Sequence, residues 1–372
     1  MADTAAKVGV IGCGAISKKY IENSKRFDAF NVVAVADTRL AGAQARAAEF
    51  GVAKACSPEE LLADPEVEIV VNLTPHGAHG EVGIATLEAG KSTYNEKPLC
   101  VRREDGQRML ALAAEKGLRV GGAPDTFFGG AWQTARKLID DGAIGEPIGA
   151  SACLMAFKAP KRVQAEPDAA GYVSFYRTNF FDFGVTWGFD RGPYYLTALI
   201  HLLGPVRRVT SSTAMPWAER GFADMVHTPT HFAGILDFAS GAVGTLLLTS
   251  DFHDTGMPHI EIYGTEGSLR CIDPNNFNGP LFLRKPDSRD LVPVECAFGY
   301  NENSRGVGIA DMAVAARSGR PHRASGEMAY HVVDIVHALH EASEQGQHIT
   351  LASTCDRPAP LPQGIEDWTI DD

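Results

Sequence analysis

The sequence predicts an α/β amino-terminal domain with a parallel, doubly wound sheet, followed by an α+β domain built on a large open, mostly antiparallel sheet. Three observations carry this. Strand-like and helix-like segments alternate through the first 125 residues, the pattern of a parallel sheet with right-handed crossovers. A glycine turn, Gly12-Cys13-Gly14, follows the first strand. After about residue 150 the pattern changes to strands separated by Gly-rich joints. The expected division is residues 1–125, residues 126–355, and an irregular proline-rich tail at 356–372.

The elements follow in order. Lys7 to Ile11 is an apolar strand, and Ala15 to Ser24 reads as a helix. Asn31 to Ala36 is a second strand, ending in Asp37, and the alanine-rich helix Ala41 to Phe50 is closed by Gly51. Glu68 to Leu73 is a third strand and Gly80 to Ala89 a helix. Ser92 to Asn95 leads into Glu96-Lys97-Pro98, after which come the helix Glu104 to Lys116 and the strand Arg119 to Gly122. In the second half, Ala150 to Phe157, Arg207 to Ala214, His231 to Phe238, Ala242 to Ser250, His259 to Gly264 and Gly279 to Arg284 read as strands. Pro193 to Leu203 and Met328 to Gln345 read as helices.

Composition narrows the function. A length of 372 residues, 45% of them hydrophobic, suffices for two cores. A net charge of -12 argues against nucleic acid and anionic membrane as partners. Met1 to Lys7 has no apolar h-region, and no stretch reaches eighteen apolar residues, so neither a signal peptide nor a membrane span is expected. The seven cysteines are scattered, never in a C-x-x-C pair, which points to reduced thiols in a cytoplasmic protein with no zinc site.

The run Gly12-Cys13-Gly14-Ala15-Ile16-Ser17 is G-x-G-x-x-S. Gly12 permits a tight turn, Gly14 lets a pyrophosphate approach the backbone, and the helix that follows presents free amides to the anion. Because the run follows a strand, opens a helix and is followed by Asp37 about twenty residues on, it reads as a Rossmann dinucleotide site. Asp37, beside Thr38, accepts from both ribose hydroxyls and repels a 2′-phosphate, favouring NAD. Arg39 is suited to stacking on adenine or pairing with a phosphate, which keeps NADP open.

The fingerprint, Asn72-Leu73-Thr74-Pro75 with His79 four residues after the proline, and Glu96-Lys97-Pro98 resemble the Gfo/Idh/MocA oxidoreductases over nearly the whole chain. The resemblance implies a cofactor site formed by Gly12 to Ile16, Asp37 to Arg39, Leu73, Thr74, Pro75, His79, Glu96 and Lys97. It implies hydride transfer between nicotinamide and a secondary alcohol or ketone of a sugar, polyol or related cyclic diol, with Lys97 orienting and polarising the reacting oxygen. Lys97 has no evident structural duty, since Pro98 already constrains the backbone. The family often carries D-x-G-x-H-x-x-D; here Asp190-Arg191-Gly192-Pro193-Tyr194-Tyr195-Leu196-Thr197 stands in its place. Tyr194 occupies the catalytic histidine's position and Thr197 the second aspartate's, as in a branch where tyrosine takes this place. A phenol can exchange the same proton, and Lys97 nearby favours phenolate.

On a helix Asp190, Tyr194, Thr197 and His201 share one face. Asp190 reads as either a helix cap or a substrate ligand, His201 as packed or capping, and Tyr195 as core. His76 and His79 have metal-ligand spacing but no third ligand, so no metal is expected; His76 reads as a loop residue and His79 as lining the nicotinamide pocket. The aromatic run from Tyr172 to Tyr195 is core and interface packing, or a wall for sugar C–H faces with Arg177, Asn179 and Asp182 bonding hydroxyls. Asp125, at the sheet's ligand edge, is a further substrate-binding candidate. An open sheet with one face to cover predicts a homodimer or homotetramer. Two rivals remain: an NAD-dependent glycosidase of the same family, using transient oxidation and elimination, and a non-catalytic NAD(P)-binding redox sensor.

Overall fold

The computed structural model describes residues 5–156, 187–216, 228–254 and 256–372. Its first sheet comprises β1 (Ala6–Ile11), β2 (Phe30–Ala36), β3 (Lys54–Cys56), β4 (Ile69–Asn72), β5 (Ser92–Asn95) and β6 (Val120–Gly122). All neighbours run parallel, in the order β3-β2-β1-β4-β5-β6. The helices between them are α1 (Ser17–Ser24), α2 (Leu40–Phe50), α3 (Pro58–Leu62), α4 (His79–Glu88) and α5 (Arg103–Lys116). Strand order reverses at β1 and β4, the switch point outside which such sheets bind ligands. Val8, Val10, Val35 and Val70 are all at 0% exposure, because helices cover both faces and leave no room for polar alternation.

β3 and α3 are absent from the sequence reading. At three and five residues they are too short for a periodic signal, yet α3 opens on a capping box. Ser57 Oγ accepts from Glu60 N at 3.2 Å, and Glu60 Oε2 accepts from Ser57 N at 2.9 Å.

Among the described residues the second sheet has nine strands: β7 (Pro147–Met155), β8 (Val206–Ala214), β9 (His231–Phe238), β10 (Val243–Thr249), β11 (Ile260–Gly264), β12 (Gly267–Cys271), β13 (Leu281–Arg284), β14 (Val292–Val294) and β15 (Ile349–Thr350). Their order is β14-β13-β12-β11-β7-β10-β9-β8-β15. All described pairs are antiparallel except β7 with β10. The remaining helices are α6 (Gly130–Asp140), α7 (Trp187–Asp190), α8 (Gly192–Leu203), α9 (Val307–Ser318) and α10 (Gly326–Gln345). One face of this sheet buries Phe232, Leu236, Leu246, Leu248 and Ile262 beneath the helices. The opposite face leaves Ile235, Val243 and Tyr263 at 41%, 50% and 39% exposure.

Late segments pack across the cut at residue 125. α9 packs on β2 and β6, and α10 on α5 and β6, so late segments complete the first lobe. Gly121 bridges Ser325, and Asn23 on α1 donates to the carbonyls of Asn303 and Arg305 at 2.8 and 2.9 Å. One apolar core therefore runs continuously between the two sheets. The tail after residue 355 has no regular element but is fastened: Arg323 pairs with Asp371 at 2.6 Å, and Arg26 lies 3.6 Å over the Trp368 ring.

Candidate active site

The glycine turn is built as its residues require. Gly12 has φ +100°, and a Cβ there would sit 2.6 Å from the Leu73 carbonyl carbon, so only glycine lets β1 and the β4 loop approach. A Cβ on Gly14 would meet nothing within 4 Å. Gly14 is half-buried while Ala15 and Ile16 are exposed at the start of α1. This leaves an open amide-lined space at a helix amino terminus, which fits a dinucleotide pyrophosphate. Asp37 is buried at the end of β2, where Oδ2 accepts from Cys13 N and Oδ1 from Arg39 N, both at 2.9 Å. A carboxylate has about four acceptor positions, so two remain for ribose hydroxyls. Thr38 and Arg39 flank it at the surface. Arg46, missed in the sequence, is 1% exposed on α2 and donates to Cys13 O at 2.8 Å, bracing the turn from behind. Its signal is a lone arginine on the buried face of an alanine-rich helix.

Leu73 is buried, its amide donating to Ile11 O at 2.8 Å, and Thr74 Oγ1 donates to Asn72 Oδ1 at 2.7 Å. Pro75 precedes a short 3-10 turn, His76–Ala78, at the sheet's ligand edge. His79, expected to line the nicotinamide pocket, is 1% exposed. Its Nδ1 lies 2.6 Å from Pro98 O and its Nε2 2.8 Å from Thr74 O. It acts as a strut between the two loops that carry the candidate cofactor and catalytic residues.

Glu96 is bonded through both oxygens: Oε1 accepts from Tyr20 Oη at 3.0 Å and Oε2 from Lys97 N at 2.8 Å. Lys97 itself has the structural duty that the sequence did not reveal. Its ammonium forms an ion pair with Asp190 Oδ1 and donates to Asp190 O at 3.0 Å. The Lys97 side chain is 8% exposed and that of Asp190 is 0%. Burial works to raise the Asp190 pKa, but Lys97 and Arg191 overcome it and hold the carboxyl below its ordinary value. Arg191 Nε is 3.3 Å from Asp190 Oδ2. Asp190 closes α7 rather than capping α8, whose amino-terminal end receives no side-chain cap. The cap reading is thereby corrected: Asp190 anchors the lysine.

Tyr194, in the first turn of α8, is 8% exposed, and Lys97 Nζ stands 5.4 Å from its ring centroid. Thr197 is buried one turn further on, and His201 is fully buried with its ring 5.2 Å from Phe127. Tyr195 is core and bonds His259 Nδ1 at 2.7 Å. Trp187 and Phe189 are core as well. Arg177, Asn179, Asp182 and the aromatic run from Tyr172 to Phe183 lie outside the described residues.

His76 is more than a loop residue. It is buried, edge-on to His79 with centroids 5.6 Å apart, and interacts electrostatically with Lys97 and Asp190. Burial first, then the Lys97 charge, push its pKa down to about 2, so it stands neutral beside the ion pair. Asp125 is 1% exposed, and its Oδ2 accepts from Gly306 N at 2.8 Å and Gly308 N at 3.2 Å, fixing the start of α9. Burial raises its pKa to about 6. Among the described residues no group of three or more His, Cys, Asp or Glu side chains is placed to hold a metal ion, and no helix is long and apolar enough to cross a membrane.

A dinucleotide turn at the switch point of a parallel sheet, with a buried lysine and a tyrosine from the second lobe beside it, defines the class: a nicotinamide-dependent oxidoreductase. The description "Oxidoreductase family, NAD-binding Rossmann fold" matches residues 6–122, and the GFO/IDH/MocA C-terminal domain matches residues 132–270. The chain belongs to the Gfo/Idh/MocA oxidoreductases, and its cofactor is NAD. It is 28% identical to 1,5-anhydro-D-fructose reductase of Ensifer adhaerens, over 78% of this chain and 84% of that protein. To scyllo-inositol 2-dehydrogenase (NAD(+)) of Bacillus subtilis it is 27% identical, over 77% and 80%. Levoglucosan dehydrogenase in complex with NADH and levoglucosan shares the fold with a TM-score of 0.80 at 21% identity, covering 94% of this chain and 100% of that one.

Proposed function

We propose that this oxidoreductase acts reversibly on a secondary alcohol of a sugar, polyol or related cyclic diol, with Lys97 and Tyr194 at the reacting oxygen. The observation that carries the reading is the meeting of Lys97 and Tyr194, from different lobes, at 5.4 Å. The names of the relatives, which act on anhydrofructose and inositols, support the substrate class.

When bound, NAD accepts the hydride. Tyr194 takes the hydroxyl proton as the alcohol becomes a carbonyl, and returns it in the reverse direction. Lys97, held by Asp190, donates to the same oxygen and stabilises its developing charge. Asp190 keeps the ammonium charged and pointed; His79 and Glu96 hold the loop that carries it. Asp37 selects NAD over NADP at the ribose. Asp190 and Thr197 stand as further substrate-facing candidates on the α7–α8 segment, and Arg177 as one from outside the described residues. The open face of the nine-stranded sheet, with Ile235, Val243 and Tyr263, is the proposed surface of a homodimer or homotetramer.

The test is a panel of myo-inositol, scyllo-inositol, levoglucosan and further sugars with NAD, and 1,5-anhydro-D-fructose with NADH, followed at the NADH absorbance. Turnover of at least one is expected. Glycoside cleavage with no net NADH would favour the glycosidase alternative, and cofactor binding without turnover on any of them the sensor.

A further inference from the structure

The helix that opens at the glycine turn also reaches Lys97. Tyr20, on the buried face of α1, is 2% exposed, so its phenol lies inside the first lobe. A hydroxyl at that depth needs a partner. It has one: Tyr20 Oη donates to Glu96 Oε1 at 3.0 Å. Burial first, then the charges of Glu96 and Asp125, push the Tyr20 pKa well above its ordinary value, so the phenol keeps its proton and is the donor. Glu96 is itself 8% exposed. Its amide donates to Asn72 O at 2.9 Å, which ties the backbone to the end of β4, and Oε2 accepts from Lys97 N at 2.8 Å. The carboxylate plane is thereby set by a donor at each oxygen, one on the cofactor helix and one on the lysine. α1 is fastened at both ends. Ser17 Oγ donates to Gly14 O at 2.7 Å, and Asn23 reaches the carbonyls of Asn303 and Arg305 at 2.8 and 2.9 Å.

We propose that Tyr20 is a positioning residue for the reaction: through Glu96 it sets the backbone of Lys97 against the helix that receives the dinucleotide pyrophosphate. The proposal rests on the reading of Lys97 at the reacting oxygen. Lys97 is fixed at two points, its amide from the cofactor helix through Glu96 and its ammonium from α7 through Asp190. The two fixings answer different needs. Asp190 aims the charge. The Tyr20–Glu96 link places the lysine relative to a cofactor seated on α1. Hydride leaves the substrate carbon while the proton leaves the oxygen attached to it, so an error between cofactor and lysine is felt in the chemical step. A misplacement of about 1 Å can cost about 10²-fold. Packing alone asks only for the ring of Tyr20. The hydroxyl, a donor to a charged acceptor, is what orients the carboxylate.

The experiment compares wild type, Tyr20→Phe, Glu96→Leu, the pair Tyr20→Phe/Glu96→Leu, and Lys97→Met. NADH dissociation constants are read by fluorescence, and the first turnover of hydride transfer by stopped flow at saturating NAD, with the best substrate of the panel. In Tyr20→Phe the NADH dissociation constant and the KM for the alcohol are expected to stay near wild type while hydride transfer slows by about 10–100-fold. The primary isotope effect on kcat, with deuterium on the reacting carbon, rises with it. Glu96→Leu loses at least as much, and adding Tyr20→Phe to it costs nothing further, because both act through one link. Should Tyr20→Phe not fold with its buried carboxylate short of a partner, Tyr20→Phe/Glu96→Gln removes that charge, and the same loss is expected against Glu96→Gln. Unchanged hydride transfer in a folded, NADH-binding Tyr20→Phe protein overturns the proposal. So do a loss confined to NADH affinity, which would leave Tyr20 as packing for the cofactor helix, and losses that add in the pair. Normal turnover by Lys97→Met would end the reading of Lys97 and the proposal with it, and that variant tells this failure apart from a failure of the Tyr20 link.

Discussion

Replacing Lys97 with methionine keeps the stem and removes the charge, and the structure sets the expected cost. Asp190 is at 0% exposure and, among the described residues, would keep Arg191 as its one ion-pair partner, 3.3 Å away and next to it in sequence. Removing one partner of a buried pair costs about 3–5 kcal/mol; with Arg191 retained we take the lower end, ~3 kcal/mol. At a urea dependence of about 3 kcal/mol/M the unfolding midpoint falls by about 1 M. The pH dependence has a definite sign. In the wild type the Asp190 pKa is held below its unfolded value, so its contribution is complete above about pH 4 and is lost as pH falls through the folded value. In Lys97→Met burial dominates and the carboxyl pKa rises above the unfolded value. The native variant then takes up a proton sooner than the unfolded chain does. The gap to wild type is therefore largest near neutral pH and shrinks toward about pH 5. The double variant Lys97→Met/Asp190→Leu removes both charges and recovers most of the midpoint, with turnover still lost. Urea titrations by intrinsic fluorescence at several pH values make the measurement. A Lys97→Met midpoint equal to wild type, a gap that is flat with pH, or a double variant less stable than the single would refute the reasoning.

Three further outcomes follow from the same geometry. Asp37→Asn keeps an acceptor for Cys13 N but loses the charge, so the preference for NAD over NADP narrows; dissociation constants by fluorescence check it, and an unchanged ratio would remove Asp37 as the selector. Tyr194→Phe loses one hydroxyl and little volume, and turnover falls by about 10²–10⁴-fold with NADH binding intact; near-normal turnover would make the ring packing alone. Ile235→Lys places a charge in the centre of the open sheet face, and light scattering is expected to shift from a multiple of 39.8 kDa toward the monomer; a monomeric wild type would end the interface proposal.

Much of the fold was legible because local pattern and tertiary role agree. The strands Ser92–Asn95 and His231–Phe238 fall where the reading set them, and most others within about two residues. In the parallel lobe an unbroken apolar run marks a strand covered on both sides; in the second sheet alternation marks one covered on a single side. Gly12 and Asp37 were readable because the turn demands them: one needs a backbone conformation closed to other residues, the other a carboxylate at a strand end. What stayed hidden depends on contacts made across long separations. Lys97 meets Asp190, and Asp125 meets Gly306, only once both lobes have closed. No periodicity reports such pairs, since each residue alone resembles an ordinary solvated charge. The sequence by itself therefore determined the parallel sheet, the mostly antiparallel sheet and the glycine turn. Tertiary structure decided which carboxylate anchors Lys97, which braces the backbone and that the lysine stands over the Tyr194 ring, because burial turns a residue's charge from a surface property into an interaction that only its neighbours define.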